Sequence, residues 1–354
     1  MRLLKPLATL ALVASTVTLH AQDKAFLLDI EPGSEALLAA ISGSGAVAVG
    51  NFNGGGGLYW MPTSGVVFIG GVFATGVSGD GRTIVGTALD ANRLRNAAIW
   101  QRGAEWRMLG GLPNSVPCDG LSSALGVSRD GKVVVGSAVK SCTLSHAFRW
   151  DESSGMVDLG SVEGQDSRAS AVSGDGKVVV GRQNDANGTQ VGVRWVDGRQ
   201  ETFGRPVGPA LAVNVDGTVV VGQRCRVVSE QIEQSAWIWT ERDGIQCLLA
   251  PGIKTSIEGP VLTFGAAISD NGRVVAGGHG AEGARDAVLW IDGKESYLKD
   301  YLRAHGVPDA FQGWINTGEI DGVSPDGRVL VGWGAAIGGF RGYVVILPDL
   351  EPLK

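Results

Sequence analysis

The chain has 354 residues, and 55 of them are glycine, about twice the usual share of ~7%. Charged residues are 19%, the set AVILMFWYC is 44%, and the formal net charge is −6. This balance excludes wholesale disorder, a collagen-like repeat and a long helical bundle, in which each interior glycine would cost about 1 kcal/mol, and it leaves many short strands joined by glycine turns.

Residues 1–21 read as a secretory signal peptide. Arg2 and Lys5 give a positive start, Leu7 to Leu19 is apolar, and Ala21 is a small residue at the expected cleavage point. The apolar stretch is too short for a membrane span and lacks a stop-transfer flank. No cysteine follows it before Cys118, so a lipoprotein anchor is not expected. Removing this segment takes the formal charge from −6 to −8, which argues against nucleic acid or anionic lipid as a partner. No later segment reaches ~18 continuous apolar residues, so residues 22–354 read as one domain without a membrane span, secreted or periplasmic and monomeric.

From residue 40 onward the chain repeats one phrase. It runs from Ala40-Ile41-Ser42-Gly43-Ser44-Gly45 with AVAVG, through Ala171-Val172-Ser173-Gly174-Asp175-Gly176 with KVVVG, to Gly322-Val323-Ser324-Pro325-Asp326-Gly327 with RVLVG. The turn glycines are 45, 81, 131, 176, 217, 272 and 327. A second short strand follows in each copy and carries Trp60, Trp100, Trp150, Trp195, Trp239, Trp290 or, in the seventh, Tyr343. A last segment follows, as in Gly155–Gly160. Asp-Gly or Asn-Gly between β-branched runs is a strong hairpin signal because the turn needs positive φ. The valine runs are continuous rather than alternating, so these strands are covered on both faces. Four strands per copy (A to D), seven copies and two covered faces predict an all-β, seven-bladed β-propeller of four-stranded antiparallel blades. An open β-solenoid is the alternative. The glycine closing VVVG is expected to end strand B and let the chain leave the blade without a Cβ clash. Asp80, Asp130, Asp175, Asp216 and Asp326 read as turn residues rather than a catalytic or calcium-binding array.

The seventh copy ends near Leu347 without a fourth strand, and residues 25–33 resemble strand D elsewhere. The N-terminal strand is therefore expected to complete the last blade and remove the open sheet edges.

These copies resemble the extracellular HAF-repeat family, after His146-Ala147-Phe148, over essentially the whole mature chain. The Ser324-Pro325-Asp326-Gly327 copy also resembles TolB-like propeller repeats. The resemblance implies export and a propeller-like fold. It implies no established reaction or ligand, so no functional residue is carried over from it.

Cys118, Cys142, Cys225 and Cys247 allow three disulfide pairings, and the local choice is Cys118–Cys142 with Cys225–Cys247. Extra length falls at 111–122, 250–263 and 303–319, which are D–A connections on one face, and insertions on one face of a repeat array usually mark the binding face. Trp314 and Trp333 lie outside the repeated tryptophan register. Phe311, Phe340, His279 and His305 are expected near them, with Asn51 and Asn53 across the closure. Aromatic rings with amides suit a glycan or a peptide. Simple packing of the insertion is the alternative for Trp314 and Trp333. A metal shared by His279 and His305 with Asp286 or Glu282 matches no ligand spacing, and neither a metal nor a cofactor is expected. His146 sits in the repeat register and reads as structural. No Gly-x-Ser-x-Gly or His-Glu-x-x-His is present. The sequence therefore reads as a non-catalytic binding module for a glycan, peptide or envelope protein. The alternatives are an extracellular polysaccharide hydrolase or lyase using the same face, and a purely structural envelope protein.

Overall fold

The computed structural model describes residues 26–29 and 35–348, apart from 54, 116, 117, 119, 162, 163, 205, 206, 226–234, 253–261 and 282. The predicted signal peptide and Glu282 lie outside the described residues.

Successive copies fold into successive antiparallel meanders. The first forms β2 (Ala36–Ile41), β3 (Ala48–Phe52), β4 (Gly57–Met61) and β5 (Gly65–Gly70), and the second forms β6 (Phe73–Val77), β7 (Thr83–Leu89), β8 (Arg95–Gln101) and β9 (Arg107–Gly110). The third gives β10 (Ser122–Val127), β11 (Val134–Ser141), β12 (Leu144–Asp151) and β13 (Gly155–Gly160). The fourth gives β14 (Ser167–Val172), β15 (Val178–Asn184), β16 (Gln190–Val196) and β17 (Arg199–Thr202). Each of these is a separate four-stranded sheet. The next two copies comprise β18 (Ala210–Val213), β19 (Val219–Cys225), β20 (Ser235–Thr240) and β21 (Gly244–Leu248), then β22 (Leu262–Ile268), β23 (Val274–Ala281), β24 (Ala284–Ile291) and β25 (Lys294–Tyr297). They are joined into one eight-stranded sheet through the register pair Gln223–Phe264. The last copy supplies β26 (Trp314–Val323), β27 (Val329–Ala336) and β28 (Gly339–Ile346). Its fourth strand is β1 (Phe26–Asp29), antiparallel to β28 with Phe26 opposite Ile346 and Asp29 opposite Tyr343. The fold is an all-β propeller closed by its N-terminal strand.

The A–B turns are built alike. In the fourth, Ser173 Oγ donates to Asp175 Oδ1 (2.7 Å) and accepts from Val178 N, while Asp175 Oδ1 accepts from Lys177 N. These bonds hold Asp175 below the usual carboxylate range, the serine hydroxyl contributing most. The turn glycine, Gly176, has φ +77° and packs against the preceding unit, where an added Cβ would sit 2.6 Å from Val133 Cγ2. Gly45 packs in the same way on Val329 of the last unit, across the closure.

The second repeated glycine does not end strand B, as the sequence suggested. It lies within the strand and faces a β-bulge in strand A. The strand A–B register shifts by one residue at one equivalent place in every copy, around Ala39, Thr75, Leu125, Ser170, Leu211, Ala266 and Asp321. The bulge presses a strand-A carbonyl onto the facing glycine, so a Cβ at Gly181 would overlap the Arg168 carbonyl oxygen.

Hydrophobic clusters form between adjacent units. Val133, Val135 and Ala147 of the third meet Ala169, Val193 and Trp195 of the fourth. Val331 and Val344 of the last meet Leu38 and Leu58 of the first, so packing continues around the ring. Among the described residues the one helix, α1 (Leu298–Ala304), lies in the D–A connection between β25 and β26 and buries Leu298 and Leu302.

Both local disulfides are present, Cys118–Cys142 and Cys225–Cys247, each with a Cα–Cα distance of 5.6 Å. They close loops of 24 and 22 residues. Replacing either pair with serine is expected to cost about 3 kcal/mol in the chain-entropy account. Urea unfolding measures this, and an unchanged midpoint would contradict it.

Candidate functional site

The innermost strands surround a central funnel of about 660 Å³. At the turn face the backbone of one turn bonds to the next, as Gly79 N to Arg129 O (2.8 Å) and Arg129 N to Gly174 O (3.1 Å). Arg129 of the third turn also reaches Asp270 of the sixth at 2.5 Å. These turns are not neighbours, so the pair spans that end of the ring. The B–C and D–A connections lie at the opposite end.

Two repeat positions decide the chemistry of the wall. Eight residues before the turn glycine stand Leu37, Phe73, Ser123, Arg168, Pro209, Phe264 and Glu319. Six before it stand the bulge residues Ala39, Thr75, Leu125, Ser170, Leu211, Ala266 and Asp321, all of which line the funnel. The charged exceptions, Arg168, Glu319 and Asp321, line it too.

On one side Arg285 of β24 pairs with Glu319 (Nη1–Oε2, 2.7 Å), and its guanidinium lies 5.3 Å from the Phe264 ring centre. Trp333 Nε1 donates to Asp321 Oδ2 (3.0 Å). The Tyr343 hydroxyl, fully buried, donates to the carbonyls of Thr317 (3.1 Å) and Glu319 (3.0 Å), fixing the backbone that carries the acids. Burial raises Glu319 above the usual carboxylate range despite the Arg285 bond. Burial and then repulsion from Glu319 push Asp321 well above its ordinary value, only partly offset by Trp333 and Arg285. Such an acid stabilises the fold fully below its unfolded pKa and loses that contribution as pH rises through the folded value. Asp321→Asn keeps an acceptor for Trp333 and removes the ionisation. The variant should therefore melt a few degrees above the native protein at pH 8, each kcal/mol being worth about 2–4 °C or less in a domain this large. The two should converge below about pH 3.5, under the ordinary aspartate range. Parallel melting curves across that interval would contradict the assignment.

Another part of the wall carries Arg168, whose cross-strand partner on β15 is Arg182, just outside the funnel. Burial and then the neighbouring Arg182 lower Arg168, while burial lowers Arg182 with a further contribution from Arg224.

The aromatic residues expected to form one platform separate into two groups. Phe311 is 4% exposed and sits in the hydrophobic cluster with Leu298 and Leu302, a core position rather than a surface one. The apolar side of α1 needs a filler there. Trp314 packs edge-on to Phe311 (5.2 Å) and Tyr343 (5.8 Å). Trp333 packs on Phe340 (5.4 Å), which is 36% exposed. Trp333 thus links the elaborated face to Asp321. His279 bonds to Thr263 Oγ1 (2.6 Å), while His305 stacks on Tyr301 (4.1 Å) and bonds its carbonyl. Asn51 spends its amide on the backbone of Ala74, and Asn53 bonds Glu35 Oε2 (2.7 Å). His146 is buried against Asp158 (2.9 Å). Among the described residues no group of three His, Cys, Asp or Glu gathers as a metal site.

Arg168, Glu319, Asp321 and Arg285 belong to no sequence motif. For the first three the signal was available, since they are the charged exceptions at two repeat positions counted back from the turn glycine. Arg285 has no such register and is found only through its contact with Glu319.

No protein-family model matches the chain, and no curated protein matches it in sequence. Solved structures are similar in fold. The β-propeller domain of the Trilobed protease from Pyrococcus furiosus is 13% identical, covering 90% of this chain and 99% of that one, with a TM-score of 0.56. An oligogalacturonate lyase in complex with manganese is 10% identical over 91% and 93%, with a TM-score of 0.58. TolB from Acinetobacter baumannii is 12% identical over 74% and 62%, with a TM-score of 0.47. At these identities the first two support the propeller fold alone, and the TolB likeness is too weak to carry an argument. The HAF-repeat resemblance rests on its motif.

Among the described residues no helix is long and apolar enough to cross a membrane.

Proposed function

We propose that this chain is an exported seven-bladed propeller that binds an extracellular glycan, peptide or protein partner at its loop-elaborated face, with the central funnel as the principal site. Counting the eight-stranded sheet as two blades gives the seven. Two disulfides and the signal-like segment at residues 1–21 favour an oxidising compartment, periplasmic or extracellular. One observation carries the reading: Arg168, Glu319 and Asp321 break the repeat at positions that other copies fill with small, apolar or hydroxyl residues, and all three line one funnel. Packing alone has no use for charges there, whereas a ligand does. Trp333 and Phe340 extend the site to the rim.

The second reading is a polysaccharide hydrolase or lyase. It is favoured by the Glu319–Asp321 pair, whose raised proton affinities suit general acid–base work. The lyase among the similar folds is a reason to include acidic oligosaccharides among the probes.

A screen of neutral and acidic oligosaccharides and cell-wall peptides, by calorimetry with product analysis, separates the readings. Binding without turnover, weakened in Asp321→Asn and Glu319→Gln, supports the module. Turnover lost in Glu319→Gln supports the enzyme. Binding that is untouched by both variants and lost in Trp314→Ala would place the site outside the funnel.

A further inference from the structure

Beside the funnel, and sharing its wall, lies a smaller cavity of about 300 Å³. Arg168, Arg182, Ser170, Gln190 and Gln223 line it. Arg168 and Arg182 face each other across the β14–β15 register, and like charges directly opposite in a sheet are unfavourable. Among the described residues neither guanidinium makes a hydrogen bond or an ion pair. Of the neighbouring charges, Arg224 repels Arg182 and Asp166 attracts it. Asp166 already accepts the backbone amide of Ser145 (2.7 Å) and does not hydrogen-bond either arginine. Two side-by-side guanidinium groups with their N–H donors unused are complementary to an oxyanion, which guanidinium binds in bidentate fashion. A second strand-B position of this kind occurs nowhere else in the repeat: the equivalents of Arg182 are Asn51, Thr87, Ser137, Gln223, Gly278 and Trp333.

We propose that Arg168 and Arg182 form an oxyanion subsite that takes the carboxylate of an acidic sugar residue in a ligand lying along the funnel. The proposal rests on the funnel being the binding site and adds the ligand's charge. The hydroxyl of Ser170 and the amides of Gln190 and Gln223 are neutral partners of the kind that sugar hydroxyls need beside the charged group. Glu319 and Asp321, elsewhere on the wall, offer further polar groups to sugar hydroxyls.

Titration calorimetry tests this with a uronate oligosaccharide, the same oligosaccharide with its carboxyls reduced to alcohols, and a hexaglutamate peptide. The native protein should bind the acidic sugar at least about tenfold more tightly than the reduced one. Arg168→Gln and Arg182→Gln should each remove most of that preference while weakening the reduced sugar far less, and Arg168→Lys should keep part of it. Sulfate should displace the acidic sugar from the native protein more than chloride does at equal ionic strength, a result that needs no variant to fold. No preference in the native protein, a preference intact in both Gln variants, equal displacement by the two salts, or tighter arginine-dependent binding of hexaglutamate would each overturn the proposal. If the reduced sugar binds native and variant proteins alike with no acidic preference, the funnel reading stands and the subsite fails. If no probe binds the native protein, both fail.

Discussion

Gly277→Ala is expected to prevent the chain from reaching its native state. Gly277 has no unusual φ, so the effect does not come from turn geometry. Its Cα faces the bulge in β22, and an added Cβ would overlap the carbonyl oxygen of Phe264. The atom in the way is backbone, fixed by the β22–β23 ladder, and cannot rotate aside as a side chain would. Relief requires undoing the bulge, which would rotate strand A and misplace Phe264 and Ala266 on the funnel wall. Overpacking of this kind belongs to the exceptional class of substitutions, about 4 kcal/mol or more. Gly111→Ala is the control, because its added Cβ would meet nothing closer than 3.4 Å, from Leu121. Far-ultraviolet circular dichroism and the urea midpoint would show a near-native Gly111→Ala protein and a largely unfolded Gly277→Ala protein. Equal midpoints would contradict the role given to the bulge.

The second large effect is expected at Trp195. Its side chain is fully buried between the third and fourth units, and its Nε1 donates to Leu159 O (3.1 Å). Trp195→Ala removes a large apolar volume from a junction between two sheets and leaves that carbonyl without its partner. The expected cost is about 3–5 kcal/mol. Trp100 occupies the same repeat position but is only partly buried, so Trp100→Ala should cost clearly less. Parallel urea titrations check the order, and equal losses would mean that the repeat position, rather than its burial, sets the cost.

That contrast shows what could be read from the residues alone. The propeller, its closure by the N-terminal strand and both disulfides were legible, because hairpin turns, valine runs and cysteine spacing are local signals. Burial was not legible. Trp150, Trp195 and Trp239 share one register, yet their depth depends on which side chains the neighbouring unit offers. Phe311 looked like part of a binding platform because it lies in an insertion. The insertion instead packs back on α1 and uses Phe311 to cover Leu298 and Leu302. The strand-B glycine was recognised and misread, since the bulge it accommodates lies in another strand. The funnel residues were hidden differently. Arg168, Glu319 and Asp321 match no motif, and they stand out only when the copies are stacked on the turn glycine and inspected one and three residues outside the phrase itself. Arg285 had no sequence signal, because its contact with Glu319 joins two units.

Ligand bound in the funnel would lie between the arginine and carboxylate parts of its wall. Hydrogen exchange of the native protein, with and without the uronate oligosaccharide, tests this placement most directly. Added protection is expected at the innermost strands, above all β14 and β26, with the protection at β14 lost in Arg168→Gln. Protection confined to residues 305–316 and α1, with β14 and β26 unchanged, would contradict it.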